Sequence, residues 1–191
     1  MIFNLPNNLT LLRIAVIPVI AILMSIPEAW AAWSALGFYI IACVTDWFDG
    51  YLARKMNITS AFGRFLDPIA DKLLIAILLL VFASLDRLDG WWILPAAMIM
   101  FREVLIAGLR EFLGPQNIVI HVSKLAKWKT TSQMIALGFL VVGDFGDVLV
   151  PETLLIGQIL MTGAAILTVI TGWEYLSQGI KAILDLEKKK K

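Results

Sequence analysis

Four aspartates lie in one short stretch of the chain, TDWFDGYLARKMNITSAFGRFLDPIADK (45–72): Asp46, Asp49, Asp67 and Asp71. The first two are spaced i, i+3 and the last two i, i+4, so each pair shares one face of a helix. Four like charges held close together repel one another unless protons or cations neutralise them. Carboxylate oxygens are the ligands that Mg²⁺ and Mn²⁺ prefer, and paired divalent cations commonly hold a phosphate during its transfer. The spacing therefore predicts two divalent cations, Mg²⁺ or Mn²⁺, at a site that acts on a phosphate.

A zinc site of the histidine and cysteine type is disfavoured. The chain has one histidine, His121, and one cysteine, Cys43, whereas such sites need several of these ligands.

Small residues follow the first pair of aspartates. Gly50 comes directly after Asp49, and Ala53 comes one turn later, so both leave room for a bulky group to approach the helix. Arg54 is placed to reach a phosphate, and Gly63 opens the following connection. The alternative is that Gly50 and Ala53 serve close packing between membrane helices, where small residues are common.

The elements that carry these residues are those of an integral membrane protein. The chain has 191 residues, of which 60% are hydrophobic and 16% charged, whereas a soluble domain has about 45–50% apolar and about 25% charged residues. The mean hydropathy of +0.84 agrees with this conclusion. A net charge of +1 gives no general attraction to nucleic acid.

Six apolar segments approach the roughly 20 residues that a membrane helix needs. We predict an all-α protein with one domain, 1–191, and a short N-terminal segment in the membrane interface that includes Phe3 and Leu5. Pro6, Asn7 and Asn8 indicate a turn, with Asn8 or Thr10 capping the first helix. The six predicted spans are about 9–26, 31–53, 67–85, 91–111, 128–149 and 153–177.

Lysine and arginine indicate the orientation of these spans. Only Arg87 lies near the opposite connections, and an even number of spans puts both termini on the cytoplasmic side. Because Pro68 suits the first turn of a helix, we expect the third span to begin at Asp67. The four aspartates then meet at the cytoplasmic ends of two adjacent antiparallel helices. The cytoplasmic cations are Arg13, Arg54, Lys55, Arg64, Lys72, Arg110, Lys124, Lys127, Lys129, Lys181 and the tail at 188–191.

The aspartate stretch resembles the signature of the CDP-alcohol phosphotransferases. It reads D-x-x-D-G-x-x-A-R, then eight residues, then G-x-x-x-D-x-x-x-D. The resemblance implies six transmembrane helices, usually a homodimer, and transfer of a substituted phosphate from a CDP-linked donor to an alcohol with release of CMP. It implies that Asp46, Asp49 and Asp67 bind metal, and that Asp71 is the general base and also touches metal. It further implies a CDP-diacylglycerol site lined by Asp49, Gly50, Ala53, Arg54 and Gly63.

Three further segments, NLPNNLTLLRI (4–14), FREVLIAGLREFLG (101–114) and SKLAKWKTTSQMIA (123–136), resemble one branch of that family. Those members act in the bacterial cytoplasmic membrane and join CDP-diacylglycerol to sn-glycerol 3-phosphate. The acceptor is a small dianion and needs cationic and hydroxyl partners. We predict that these partners are Thr10, Arg13, Arg110, Lys124, Lys127 and Lys129. The alternative for the cations is anchoring at the membrane surface, or pairing of the arginines with Glu103 and Glu111.

Other functions compete with this interpretation. A related enzyme would use another acceptor, such as inositol phosphate or serine. An intramembrane prenyltransferase also holds Mg²⁺ on a diphosphate, but its aspartates are spaced differently and it would not release CMP. An ion carrier would use intramembrane aspartates along its pathway, whereas here they gather at one end of the spans.

Overall fold

A computed structural model describes residues 5–56, 61–116, 118 and 124–189. Within these residues, the side chains at 5–6, 47, 49–56, 61, 64, 124, 126, 187 and 189 lie outside the description. The described residues form helices joined by short turns, with no strand among them, which confirms the predicted all-α class. Its long helices are α1 (Leu5–Met24), α2 (Ala29–Met56), α3 (Ala61–Ser84), α4 (Ile93–Leu113), α5 (Lys124–Val142) and α6 (Thr153–Lys189), and short 3-10 turns cover Gly90–Trp92, Gly114–Gln116 and Gly143–Val148.

Four of the described helical segments are long and apolar enough to cross a membrane. They are Asn7–Met24, Ala29–Asp46, Gly90–Gln116 and Thr153–Leu186. The first half of α3 and the first turns of α5 carry charged residues, which lowers their apolar content. The chain is therefore a membrane protein, while the count of six spans stays a prediction.

Two helices begin earlier than the sequence predicts. α3 starts at Ala61, so the expected start at Asp67 is wrong, and Pro68 lies inside the helix. A proline inside a helix removes one backbone hydrogen bond and crowds the carbonyl four residues earlier, but the alanine and leucine before Asp67 favour helix and offset this cost. α1 starts at Leu5, so Asn8 and Thr10 lie within the helix and the predicted capping turn is also wrong. The side chains of Phe3 and Leu5 lie outside the described residues, and the interfacial segment stays a prediction.

The helices surround an apolar core that fills one half of the bundle. α1 packs against both α2 and α3, α6 packs against α4 and α5, and α2 contacts α5. The core draws on the ends of α1, α3 and α5 that lie far from the aspartates. Its fully buried members include Ile17, Ile20, Leu78, Phe82, Ile99, Leu140 and Met161.

Arg87 fastens the connection between α3 and α4 to the other helices at this apolar end. Its Nη1 donates to the backbone oxygens of Leu140 at 2.6 Å and Val141 at 2.5 Å, and Gln158 Nε2 donates to the Arg87 carbonyl at 2.9 Å. Burial lowers the pKa of the Arg87 guanidinium, and the nearby Asp144 carboxylate opposes this shift. Arg87, which the sequence places on the side opposite the cytoplasmic cations, thus has a structural role.

Candidate active site

The polar end of the bundle is organised by one face of α1. Thr10, Arg13, Ile17, Ile20 and Met24 repeat at helical spacing, and all five are buried. The last three belong to the apolar core. The first two place a hydroxyl and a guanidinium in the half of the bundle that holds the aspartates.

Three of the four predicted aspartates meet this face. Arg13 Nη1 lies 2.6 Å from Asp46 Oδ1 on α2 and 2.9 Å from Asp71 Oδ1 on α3. Thr10 Oγ1 donates to Asp67 Oδ1 at 2.8 Å. Asp46 and Asp71 therefore approach each other through Arg13, and Asp67 is bound by the same helix, so α1 provides the contacts that bring these aspartates of α2 and α3 to one face.

The remaining residues of the predicted donor site are described only in part. Gly50, Ala53 and Arg54, like Asp49, belong to the backbone of α2, and their side chains lie outside the described residues. Gly63 is buried in the first turn of α3. Their predicted roles stay predictions.

The described carboxylates fit a hard divalent cation in their chemistry. Asp46 and Asp71 offer oxygen donors, the type that Mg²⁺ and Mn²⁺ prefer, and both reach the same nitrogen of Arg13. Their side chains are 42% and 54% exposed, so a cation has access to them. Among the described side chains, no three acidic, histidine or cysteine residues lie close enough to hold a metal ion, and Asp49 lies outside that set.

A cavity of about 300 Å³ joins this acidic end to a cationic wall. Asp46 and Asp71 line it on one side, and Arg102, Arg110 and Lys129 line it on α4 and α5. Carboxylates and cations thus line one cavity. A molecule with a phosphate at one end and a reactive hydroxyl at the other fits such a distribution of charge.

Two sets of contacts hold the cationic wall in place. Glu103 accepts from Arg102 Nη1 at 3.0 Å and from the buried Lys129 ammonium. Arg110 Nε donates to Tyr175 Oη at 3.1 Å, and the guanidinium carbon lies 5.0 Å from the centre of the Tyr175 ring. The wall therefore combines ion pairing with a cation–π contact.

The predicted acceptor residues divide into groups in the structure. Arg13, Arg110 and Lys129 all line the cavity, but Arg13 contacts Asp46 and Asp71, whereas Arg110 and Lys129 lie on the cationic wall. Thr10 contacts Asp67. Lys127 is exposed and lies outside the described lining of the cavity. The side chain of Lys124 is outside the described residues.

Sequence reasoning missed Tyr175. It lies on α6, far along the chain from the motifs, and a tyrosine in an apolar helix carries no local signal of a partner on α4. Its position behind Arg110 follows only from the packing of α4 on α6.

A second, apolar cavity of about 390 Å³ lies between α2 and α5. Trp33, Ile40 and Phe139 are among its lining residues, and it shares Tyr39 and Cys43 with the polar cavity. Tyr39 Oη donates to the Met134 carbonyl at 2.8 Å where the two cavities meet. The charged cavity therefore adjoins a groove suited to hydrocarbon.

Comparison with known proteins found a matching family model and several similar proteins. Residues 3–170 match the family model described as CDP-alcohol phosphatidyltransferase. The chain is 47% identical over 142 residues to a protein of Cereibacter sphaeroides, covering 74% of this chain and 64% of that protein. It is 43% identical over 172 residues to a Rickettsia typhi protein, covering 90% and 94%, and 40% identical over 186 residues to one of Shigella flexneri, covering 96% and 98%. Each of the three is named CDP-diacylglycerol–glycerol-3-phosphate 3-phosphatidyltransferase.

Proposed function

Because this chain belongs to the CDP-alcohol phosphatidyltransferase family, we propose that it transfers the phosphatidyl group from CDP-diacylglycerol to sn-glycerol 3-phosphate. The products are phosphatidylglycerophosphate and CMP, on the route to phosphatidylglycerol. The names of relatives that align over nine tenths of both chains support this assignment. The observation that carries it is the single cavity lined by aspartates on one side and by Arg102, Arg110 and Lys129 on the other.

The cationic wall suits the acceptor. A guanidinium binds a phosphate through two parallel hydrogen bonds, whereas an ammonium acts as a point charge. Arg110 and Lys129 together would hold the phosphate of glycerol 3-phosphate and direct its free hydroxyl groups toward Asp71. Such positioning supplies much of the catalysis in phosphoryl transfer.

In the reaction, the 1-hydroxyl oxygen of the acceptor attacks the phosphorus that carries diacylglycerol. Asp71 accepts the hydroxyl proton, the bond from that phosphorus to the CMP oxygen breaks, and CMP leaves with the electron pair. Two divalent cations, Mg²⁺ or Mn²⁺, held by Asp46, Asp49, Asp67 and Asp71, would neutralise the charge of the diphosphate when bound. In the alternative route, a covalent phosphatidyl-aspartate forms first. Exchange of labelled CMP into CDP-diacylglycerol without acceptor would be evidence for that route.

The donor would bring both a polar and an apolar part to the site. Its cytidine diphosphate would lie beside Gly50, Ala53, Arg54 and Gly63, as the family motif implies. The apolar cavity between α2 and α5 would take an acyl chain. We further propose six spans with both termini cytoplasmic, an active site on the cytoplasmic face of the bacterial inner membrane, and a homodimer.

The test uses purified protein, CDP-diacylglycerol and radiolabelled acceptors with Mg²⁺ or Mn²⁺. Glycerol 3-phosphate should be converted with release of CMP, whereas serine, inositol phosphate and phosphatidylglycerol should be rejected. Arg110→Gln should raise the KM for glycerol 3-phosphate. The control is Glu111→Gln, its exposed neighbour, which should behave as wild type.

Other outcomes would favour the rival functions. Use of serine or inositol phosphate in place of glycerol 3-phosphate would make the chain another member of the same family. Metal flux into proteoliposomes without any lipid product would favour an ion carrier.

A further inference from the structure

We propose that Arg13 and Thr10 are positioning residues. The polar face of α1 holds three of the catalytic aspartates in place, and Arg13 supplies a fixed positive charge between two of them. This inference rests on the proposed function of the aspartate site. It gives both residues a role different from the acceptor binding that their types and location predict.

The burial of Arg13 is the first observation. Its side chain is only 1% exposed, and it is among the largest fully buried side chains of the described chain. The two carboxylates that it contacts are about half exposed. Arg13 borders the cavity together with Asp46 and Asp71, but the aspartates present far more accessible surface to a substrate than Arg13 does.

The contact geometry is the second observation. One nitrogen of Arg13 lies within 3 Å of carboxylates from two different helices, α2 and α3. A buried cation is costly in a membrane protein unless it is paired, and two neighbouring carboxylates repel unless a cation lies between them. Each group therefore depends on the others, and the helices are drawn together at this point.

The continuity of α1 is the third observation. Thr10, one turn before Arg13, fixes Asp67 through its hydroxyl, and Ile17 and Ile20 continue the same buried face. The face is thus anchored in the apolar core at one end and bonded to the carboxylates at the other. A rigid support of this kind is what keeps reacting groups within a fraction of an ångström of their working positions.

The first experiment measures thermal unfolding of the detergent-solubilised protein without substrates. Arg13→Gln in EDTA should lower the Tm by at least about 5 °C, because two carboxylates lose their shared cation. Mn²⁺ alone should then raise the Tm of Arg13→Gln more than that of wild type, because a divalent cation replaces the missing charge. In a double-mutant cycle, Arg13→Gln should cost less in an Asp71→Asn background. Additive Tm losses with equal Mn²⁺ shifts would overturn the proposal.

The second experiment separates positioning from acceptor binding by steady-state kinetics. Arg13→Gln and Thr10→Val should lower kcat at least tenfold and leave the KM for glycerol 3-phosphate within about twofold of wild type. Arg110→Gln is the matched control and should raise that KM. A rise in the KM for glycerol 3-phosphate with Arg13→Gln, equal to that with Arg110→Gln, would assign Arg13 to the acceptor instead.

Arg13→Lys covers the case in which Arg13→Gln does not fold. It keeps one positive nitrogen beside the carboxylates, so it should remain folded in EDTA and show the same unchanged KM with a lower kcat. A raised KM in this variant would overturn the proposal. The unfolding experiment does not depend on turnover, so it distinguishes failure of the positioning role from failure of the transferase assignment.

Discussion

Three arginines at the polar end of the bundle, one buried, one half-buried and one exposed, show how partners decide the role of one residue type. Arg13 contacts two aspartates, Arg102 pairs with Glu103, and Arg110 is held by Tyr175. The sequence places all three near the same membrane face. Only the side chains that surround each one distinguish support of the aspartates from binding of a substrate phosphate.

Asp71 has the most direct test at this scale. Asp71→Asn keeps an oxygen that can accept from Arg13 but cannot take up the hydroxyl proton, so turnover should fall by about 10²–10⁴-fold. CMP release is the measurement. The protein should still bind CDP-diacylglycerol, and unchanged turnover would exclude Asp71 as the base.

Tyr175→Phe tests the support of Arg110. The variant keeps the aromatic ring and removes the hydroxyl that accepts from Arg110 Nε. A hydrogen bond to a charged group contributes about 1.5–3 kcal/mol, so the KM for glycerol 3-phosphate should rise about tenfold while kcat changes little. In an Arg110→Gln background the same change should have almost no further effect. Equal effects in both backgrounds would show that the hydroxyl acts on something other than Arg110.

The predictability of the site also differs from residue to residue. Helical periodicity was sufficient to predict that Asp67 and Asp71 share a face of α3, but their contacts with Thr10 and Arg13 of α1 were not predicted. The contact of Tyr175 with Arg110 depends on how α6 lies on α4, which no local pattern encodes. Arg13 is an intermediate case, because the sequence predicted its depth in the membrane but not its partners.

At the scale of elements, the helix type was predictable and the helix ends were not. The sequence placed the start of α3 at Asp67 because of Pro68, whereas the helix begins at Ala61. The helix therefore has six more residues before Asp67 than the sequence predicted, and Gly63 is one of them. The two aspartates of α3 therefore lie in its second and third turns, where α1 can reach them.

Close packing of α4 on α6 sets the position of the cationic wall. A β-carbon on Gly179 would lie 2.5 Å from Leu109 Cδ2, next to Arg110, whereas a β-carbon on Gly163 would meet nothing within 4 Å. Gly179→Ala should therefore destabilise the protein by about 1–3 kcal/mol and raise the KM for glycerol 3-phosphate.

Gly163→Ala is the matched control on the same helix. Alanine favours helix over glycine by about 1 kcal/mol, so this variant should be neutral or slightly more stable. Thermal unfolding in detergent and acceptor kinetics give both measurements. Equal behaviour of the two variants would contradict the role of the α4–α6 contact.

On the scale of the whole molecule, the bundle divides into two halves with different tasks. The buried apolar cluster lies at one end, and the charged cavity lies at the other. Composition predicted the membrane environment because a chain with 60% hydrophobic residues exceeds what a soluble core holds. It did not predict that Arg87 would be used inside the apolar end, where it satisfies the last carbonyls of α5.

The side of the membrane on which the connection between α3 and α4 lies distinguishes a topology of six spans from one of four. If all six long helices cross the membrane, Glu28 and Asp89 lie outside the cell and Lys188 lies inside. If only the four most apolar helical segments cross, Asp89 moves to the cytoplasmic side while Glu28 stays outside. Asp89 is therefore the residue whose location separates the two topologies.

Single cysteines in a Cys43→Ser background measure that location. Glu28, Asp89 and Lys188 are all exposed, so cysteines there should react once a reagent reaches them. With an impermeant maleimide and intact cells, Glu28→Cys and Asp89→Cys should be labelled, whereas Lys188→Cys should be labelled only after permeabilisation. This labelling pattern is the one that the charge asymmetry of the loops predicts. Protection of Asp89→Cys with labelling of Glu28→Cys would mean that α3 does not cross. In that case α3 would not span the membrane, and its aspartates would have to meet those of α2 at the membrane surface.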